Sequence, residues 1–208
     1  MDENMKKRNE RLAQTVIKGL QSRNMTGYYA EDREAALKQA LKLIEENSTI
    51  SMGGCMSAHE IGLVQALQEG NYQYLDRSKM EPREGLLADY DSDVFLSSAN
   101  AMTSDGILVN IDGNSNRVSC IAQGPKKVIF IVGMNKVCDD LDSAMKRARN
   151  VAAPINAQRF EVKTPCKETG KCFDCKSPDT ICCQFLITRY SRHTGRIHVI
   201  LVNDNLGF

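Results

Sequence analysis

Five of the eight cysteines, Cys166, Cys172, Cys175, Cys182 and Cys183, fall within eighteen residues, and that crowding is the strongest chemical signal in the sequence. They lie in a polar stretch that also carries Pro165, Gly170 and Pro178. A loop of this composition has little need of thiols as small apolar filler. Converging thiolates bind metal, and one Cys-x2-Cys pair with flanking cysteines supplies a tetrahedral set. An iron–sulfur cluster also takes four cysteines and tolerates uneven spacing. Zinc ribbons usually bring two Cys-x2-Cys knuckles and this loop has one, so the pattern leans to iron–sulfur (4Fe–4S) over zinc, with a redox disulfide as a further reading.

Other candidate groups follow the ends of apolar runs. Gly53-Gly54-Cys55-Met56-Ser57 stands between a β-prone run and a helical one, where glycines admit a ligand to the backbone and a helix start favours an anion. Ser57 and Glu60 have capping-box spacing. Cys55 is a candidate nucleophile, on the expectation that the helix start lowers its pKa. Glu60 and Asp112 are candidate general bases. The stretch 97–103, with Asn100 and Thr103, and the stretch 110–117, with Asn110, Asp112, Asn116 and Arg117, bring amides, hydroxyls and a guanidinium to strand ends, where they serve turns or a polar ligand. Gly133-Met134-Asn135-Lys136 again follows a strand, and Arg147, Arg149, Asn156 and Arg159 trail behind it. His59, His193 and His198 form no recognisable catalytic pair.

The elements that must position these groups are legible from periodicity. Leu12, Val16 and Leu20 share one helix face; residues 24–29 interrupt it; and Leu37, Ala40, Leu41 and Ile44 mark a second helix from about Asp32. Strands are predicted at 48–52, 72–75, 93–96, 107–111, 118–122 and 127–132. Helices are predicted at 58–69, ending at Gly70, at 82–89, begun by Pro82, and at 139–153, ended by Pro154. Residues 185–189 and 196–202 read as a closing hairpin around His193-Thr194-Gly195. Strands alternating with helices predict an α/β fold: three layers, a largely parallel sheet with helices on both faces. One domain is expected over residues 1–208, comprising a helical N-terminal segment (5–46), an α/β core (48–160), the cysteine-rich loop (164–183) and the hairpin (185–202).

Composition narrows the function classes. With 27 Lys+Arg against 26 Asp+Glu, the net charge of +1 lacks the basic footprint of a nucleic-acid or anionic-membrane binder. No apolar run approaches the ~20 residues of a spanning helix. The start, MDENMKKRNERLAQ, has no apolar signal segment, so a cytoplasmic location and reduced thiols are expected. No G-x-G-x-x-G occurs, so there is no NAD fingerprint.

Taken together, these motifs resemble the lactate-utilisation (LUD) domain family from about Ala13 to Val202. The matching residues are Gly53-Gly54-x-Met56-Ser57-x-x-Glu60-Ile61-Gly62-Leu63, Ser98-Ala99-Asn100-Ala101-x-Thr103-x-Asp105-Gly106, Asn110-Ile111-Asp112-Gly113-x-x-Asn116-Arg117-Val118, and Gly133-x-Asn135-Lys136 followed by Arg147 and Ala152-Ala153-Pro154-x-Asn156-Ala157-x-Arg159. The later run Thr164-Pro165-Cys166-x-x-Thr169-Gly170-x-Cys172-x-Asp174-Cys175-x-Ser177-Pro178, then Cys182, resembles a subgroup with a C-terminal cysteine cluster. The resemblance implies a fold like ribose-5-phosphate isomerase and the CoA-transferases, and a link to oxidation of lactate to pyruvate alongside iron–sulfur proteins. It implies metal ligation by Cys166, Cys172, Cys175 and Cys182. An anionic metabolite is expected near Gly53, Gly54, Ser57, Asn100, Thr103, Asn110, Asp112, Asn116, Arg117, Asn135, Lys136, Asn156 and Arg159. Cys55 stands where the family usually has serine, and Ser115 where it has glycine. The function expected is a redox accessory or subunit of 2-hydroxyacid utilisation, with iron–sulfur oxidoreductase subunits as possible partners and a homo-oligomer possible. The alternatives are a stand-alone isomerase- or transferase-like enzyme on a phosphorylated or CoA-linked substrate with a structural zinc, and a non-catalytic regulatory module.

Overall fold

The computed structural model describes residues 2–208; Met1, the first residue of the expected domain, lies outside the described residues. Helix α1, Glu3–Ser22, begins where Asp2 Oδ1 accepts the amides of Asn4 and Met5 at 2.9 and 3.3 Å, a cap that contributes about 1 kcal/mol. It buries Ala13, Val16 and Leu20, the face read from the sequence. The chain reverses at Asn24 (φ 57) into β1, Thr26–Ala30. The N-terminal segment is therefore not all helical: a strand replaces the expected interruption. Its two tyrosines favour a pleated surface. Gly27 lets it pass close to α1, since a Cβ there would lie 2.9 Å from Ile17 Cγ1 and Leu20 Cδ1.

Helix α2, Arg33–Leu43, is capped by Asp32, and β2, Thr49–Met52, leads into α3, Met56–Glu60, and α4, Leu63–Glu69. The one helix expected over 58–69 is broken at Gly62, whose φ of +77 suits glycine. The capping box is also absent. Ser57 lies inside α3 and faces Ser98 and Lys136, while Glu60 Oε2 accepts the Gly207 amide at 2.9 Å.

Next come β3, Gln73–Tyr74, α5, Pro82–Asp91, β4, Val94–Ser97, β5, Ala101–Thr103, and β6, Leu108–Asp112. Residues 118–122, expected as a strand, belong to helix α6, Asn116–Ala122. Five apolar residues do not separate the two states by periodicity. The Asp112 side chain decides, because Oδ2 accepts the amides of Arg117 and Val118 at 2.9 and 3.0 Å and Oδ1 that of Gly113 at 2.9 Å.

Strand β7, Lys127–Gly133, precedes β8, Val137–Cys138, and α7, Leu141–Arg147. Pro154 does not end this helix. A turn of π-helix, Ala148–Ala152, joins α7 to α8, Ala153–Ala157, and Pro154 sits in the first turn of α8, where its missing N–H is tolerated. Helix α9, Pro165–Thr169, and strands β9, Gln184–Thr188, and β10, Ile197–Val202, complete the chain.

The main sheet runs β1-β10-β7-β4-β2-β3, with every neighbouring pair parallel. A second sheet runs β8-β5-β6-β9. Strands β9 and β10 thus form no hairpin. β10 is buried at every position, as an interior parallel strand must be, whereas β9 is a half-exposed edge strand antiparallel to β6. Along β7, Ile129 and Ile131 face a core with α2, α3 and α4, while Val128, Phe130 and Val132 face a second core with α1, α6 and the small sheet. Helix α7 and the π turn that follows it cover the other side of the small sheet through Ala144 and Ala148. The result is a three-layer α/β architecture, as expected. No helix among the described residues is long and apolar enough to cross a membrane.

One junction of the main sheet titrates. Asp93 Oδ2 accepts from Thr49 N and Oγ1 at 3.1 and 2.8 Å, tying β2 to the start of β4. The Thr49 amide, then the Lys126 ammonium, holds this carboxyl down at about 2. A depressed carboxyl stabilises the fold fully above its ordinary value near 3.8 and loses that contribution as the pH falls through about 2. Asp93→Asn should therefore be less stable than the parent near neutrality, with the gap closing in acid; urea melts at pH 7, 4 and 2 measure it.

Candidate functional site

At the carboxyl ends of β2, β4 and β7, where open parallel sheets place ligands, lies a cavity of about 500 Å³. Its cationic side chains are Arg77, which is ion-paired to Asp89, and Arg117, Lys136 and Arg159, against the one acidic side chain of Asp112. The loop after β2 supplies Gly54, the loop after β4 supplies Ser98 and Asn100, and the short turn after β7 supplies Lys136.

Arg117 is held from behind. Gly53 permits this, since a Cβ there would meet Arg117 Cγ at 2.7 Å. The guanidinium donates through Nη2 to Asn100 Oδ1 at 3.1 Å and to the Ile111 carbonyl. Asn100 Oδ1 also accepts the Ile111 amide at 2.8 Å. Arg147 donates to the backbone carbonyls of Asn100 and Asn135 and so locks both loops. Lys136 is 3 % exposed, and its Nζ lies 3.0 Å from Ser98 Oγ and 3.4 Å from Ser57 Oγ. Among the described residues no carboxylate lies within ion-pair distance of Arg117 or Lys136. A half-buried guanidinium and a buried amine in one cavity, neither in ion-pair contact with a carboxylate, favour an anionic guest.

The remaining sequence candidates divide by position. Asn116, Asn156 and Arg159 line the cavity, with Arg159 within 5.8 Å of the Phe160 ring and 5.7 Å of the Phe208 ring. Thr103 instead supports the turn to β6, accepting the Ile107 amide at 2.8 Å and donating to Asp105. Asn110 is fully buried, donating to the Ser98 carbonyl at 2.8 Å. Asn135 clamps Leu206 through its amide group. Asp112 borders the cavity, yet its carboxylate is spent on three backbone amides, a poor arrangement for a general base. Cys55 is buried, and burial pushes its thiol pKa up, opposite to the lowering expected of a nucleophile. Arg77, Phe160, Ile181 and Phe208 line the cavity without any local signal in the sequence.

Ser115 takes φ +61, a left-handed conformation that suits glycine. The Asp112 turn keeps its shape despite this residue. Ser115→Gly is expected to raise stability by about 1 kcal/mol with unchanged secondary structure, read by denaturant melts and circular dichroism.

Cys166, Cys172, Cys175 and Cys182 line a second cavity of about 60 Å³, with Thr164, Phe173 and Ile181. Burial first, then the surrounding thiols Cys166, Cys172, Cys175 and Cys183, pushes Cys182 up to about 11. Arg149 braces the loop by donating to Asp174 at 2.6 Å and to Cys172 Sγ at 3.8 Å. Among the described residues, no three His, Cys, Asp or Glu side chains are gathered closely enough to hold one metal ion. A tetrahedral zinc would draw its sulfurs to within about 4 Å of one another. Cys183 is exposed and does not line this cavity.

The two cavities share a wall. Ile181, within the cysteine loop, lines both, and residues of the segment before the loop, Asn156, Arg159, Phe160 and Val162, border the larger one. Backbone contacts fix the wall: Cys183 N donates to the Asp112 carbonyl at 2.9 Å, and a Cβ on Gly113 would lie 3.3 Å from Ile181 Cα.

Fold and cavity define a three-layer α/β domain with a cationic pocket at the carboxyl ends of parallel strands. The chain belongs to the LUD domain family, whose model matches residues 13–202. It is similar in fold to a DUF162 family protein from Deinococcus radiodurans known from a crystal structure, at 13% identity, covering 93% of this chain and 98% of that one with a TM-score of 0.53. No curated protein matches the sequence. Family membership supports a role associated with lactate utilisation.

Proposed function

We propose that this protein is a redox accessory of 2-hydroxyacid utilisation that binds a small organic anion, lactate or pyruvate in type, beside a cysteine-ligated iron–sulfur cluster. The observation that carries the reading is Ile181, which lines both the cationic cavity and the cysteine cavity. Arg117 and Lys136 would hold the carboxylate, with Asn100 keeping the guanidinium in place and the Ser57 and Ser98 hydroxyls orienting the amine. Cys166, Cys172, Cys175 and Cys182 would hold the cluster, and the chemistry of four thiols around one void fits that group. When bound, the cluster supplies one-electron transfer, with iron–sulfur oxidoreductase subunits as its electron partners. The chain's own side chains bind and orient the anion and keep the two compartments apart.

Metal content tests this reading. Anaerobically purified or reconstituted protein should be brown, with iron and acid-labile sulfide in near-equal amounts, and the colour should be lost when the four cysteines are changed to serine. A colourless protein carrying stoichiometric zinc after the same treatment would overturn it.

A further inference from the structure

The buried amine of Lys136 has a chemical capacity that anion binding does not use. Its Nζ sits in the larger cavity with two hydroxyl groups as its hydrogen-bond partners, Ser98 Oγ at 3.0 Å and Ser57 Oγ at 3.4 Å. The two serines are themselves 3.4 Å apart, so the three groups form a closed polar triangle. The backbone of Gly207 lies against it, where a Cβ would be 3.1 Å from both Lys136 Nζ and Ser57 Oγ. A lysine whose only task is to neutralise a fixed charge would be met by a carboxylate, and among the described residues none is within ion-pair distance.

We infer that Lys136 captures the keto group of a 2-oxo acid covalently, as an imine, while Arg117 holds the neighbouring carboxylate. The inference rests on the reading of this cavity as an organic-anion site and names the class of guest. The unprotonated Nζ adds to the carbonyl carbon to give a carbinolamine. Loss of one water, made from the carbonyl oxygen and the two amine hydrogens, leaves the C=N bond; no electrons are gained or lost. Ser57 and Ser98 are placed to pass the protons that this dehydration moves. The volume of about 500 Å³ leaves room beyond the carboxylate and keto group for a longer acyl chain, toward Phe160 and Phe208.

The surroundings favour the reactive form of the amine. Burial first, with the charges of Arg147 and Arg117 adding to it and those of Cys55 and Glu60 opposing, brings Lys136 down to about 8. At pH 7 roughly one molecule in ten then carries a free amine, against roughly one in three thousand for an ordinary lysine. Desolvated lysines beside other cations form Schiff bases for this reason.

Borohydride trapping tests the inference on the intact chain. Protein is incubated with pyruvate, and separately with phenylpyruvate, then reduced, digested and mapped by mass spectrometry. The expected result is one reduced adduct per chain at Lys136, in excess of any surface lysine by about tenfold or more, and lost in Lys136→Met. The yield should climb as the pH is raised from 6 to 8. Adducts spread over surface lysines with no excess at Lys136 would overturn it, whatever the variant does. Calorimetry with pyruvate separates the two claims: binding without an adduct overturns the imine and leaves the anion site standing, whereas neither binding nor adduct overturns both.

Discussion

Replacing Arg117 by methionine should weaken binding of lactate or pyruvate by about ten- to a hundredfold, because a hydrogen bond to a charged group contributes roughly 1.5–3 kcal/mol. The fold should tolerate the change. The guanidinium is half-buried without a carboxylate in ion-pair range, and one of its two acceptors, Asn100 Oδ1, retains the Ile111 amide at 2.8 Å. An apolar side chain of similar length also removes the desolvation cost of a cation that has no carboxylate in contact. Affinity for lactate, which has no keto group to capture, should also fall as the pH rises through about 8, since the protonated form of Lys136 holds the anion and burial has brought its pKa there. Titration calorimetry from pH 6.5 to 9, with denaturant melts of the variant alongside, reads both effects. A loss of affinity that tracks a loss of folding would count against the assigned role.

The second large effect concerns the cysteine loop. Changing Cys166, Cys172, Cys175 and Cys182 to serine should abolish metal retention and also weaken anion binding by about five- to a hundredfold, the range of ordinary coupling between sites. The reason is geometric. Ile181 within the loop and the segment that precedes it, 156–162, form part of the larger cavity, so whatever closes the cysteines positions that wall. Coupling is reciprocal, and a saturating anion should raise the metal affinity, read by equilibrium competition with a chelator, by a comparable factor. Unchanged anion affinity in the quadruple variant would mean the wall stands without its centre.

How far the sequence reached depends on which forces acted locally. Strands β4 and β7 were legible because their apolar runs are flanked by turn residues, and α2 because Asp32 and its stripe lie within one segment. Helix α6 was misread because its start is set by Asp112, four residues upstream of its first residue. β1 escaped notice because its residues are pleated only by pairing with β10, at the far end of the chain. The supposed C-terminal hairpin failed for a related reason: β9 and β10 have partners in different sheets, and pairing of distant segments leaves no local mark. At the site, Arg117 and Lys136 were found because they follow strands at turn-rich positions. Arg77, Phe160, Ile181 and Phe208 join them through tertiary packing, which spacing does not encode. Thr103, Asn110 and Asn135 were also singled out at strand ends, and they hold turns and the C-terminal segment in place away from the cavity lining.

The proximity of anion and cysteine centre is the heart of the account, and a spectroscopic titration reads it directly. Reconstituted protein, reduced under anaerobic conditions, is titrated with pyruvate and followed by electron paramagnetic resonance. The account predicts a cluster signal whose shape changes saturably, at the affinity found by calorimetry, and a response shifted to much higher pyruvate in Arg117→Met. A signal that stays fixed while calorimetry shows pyruvate bound, or a protein that forms no cluster, would contradict it.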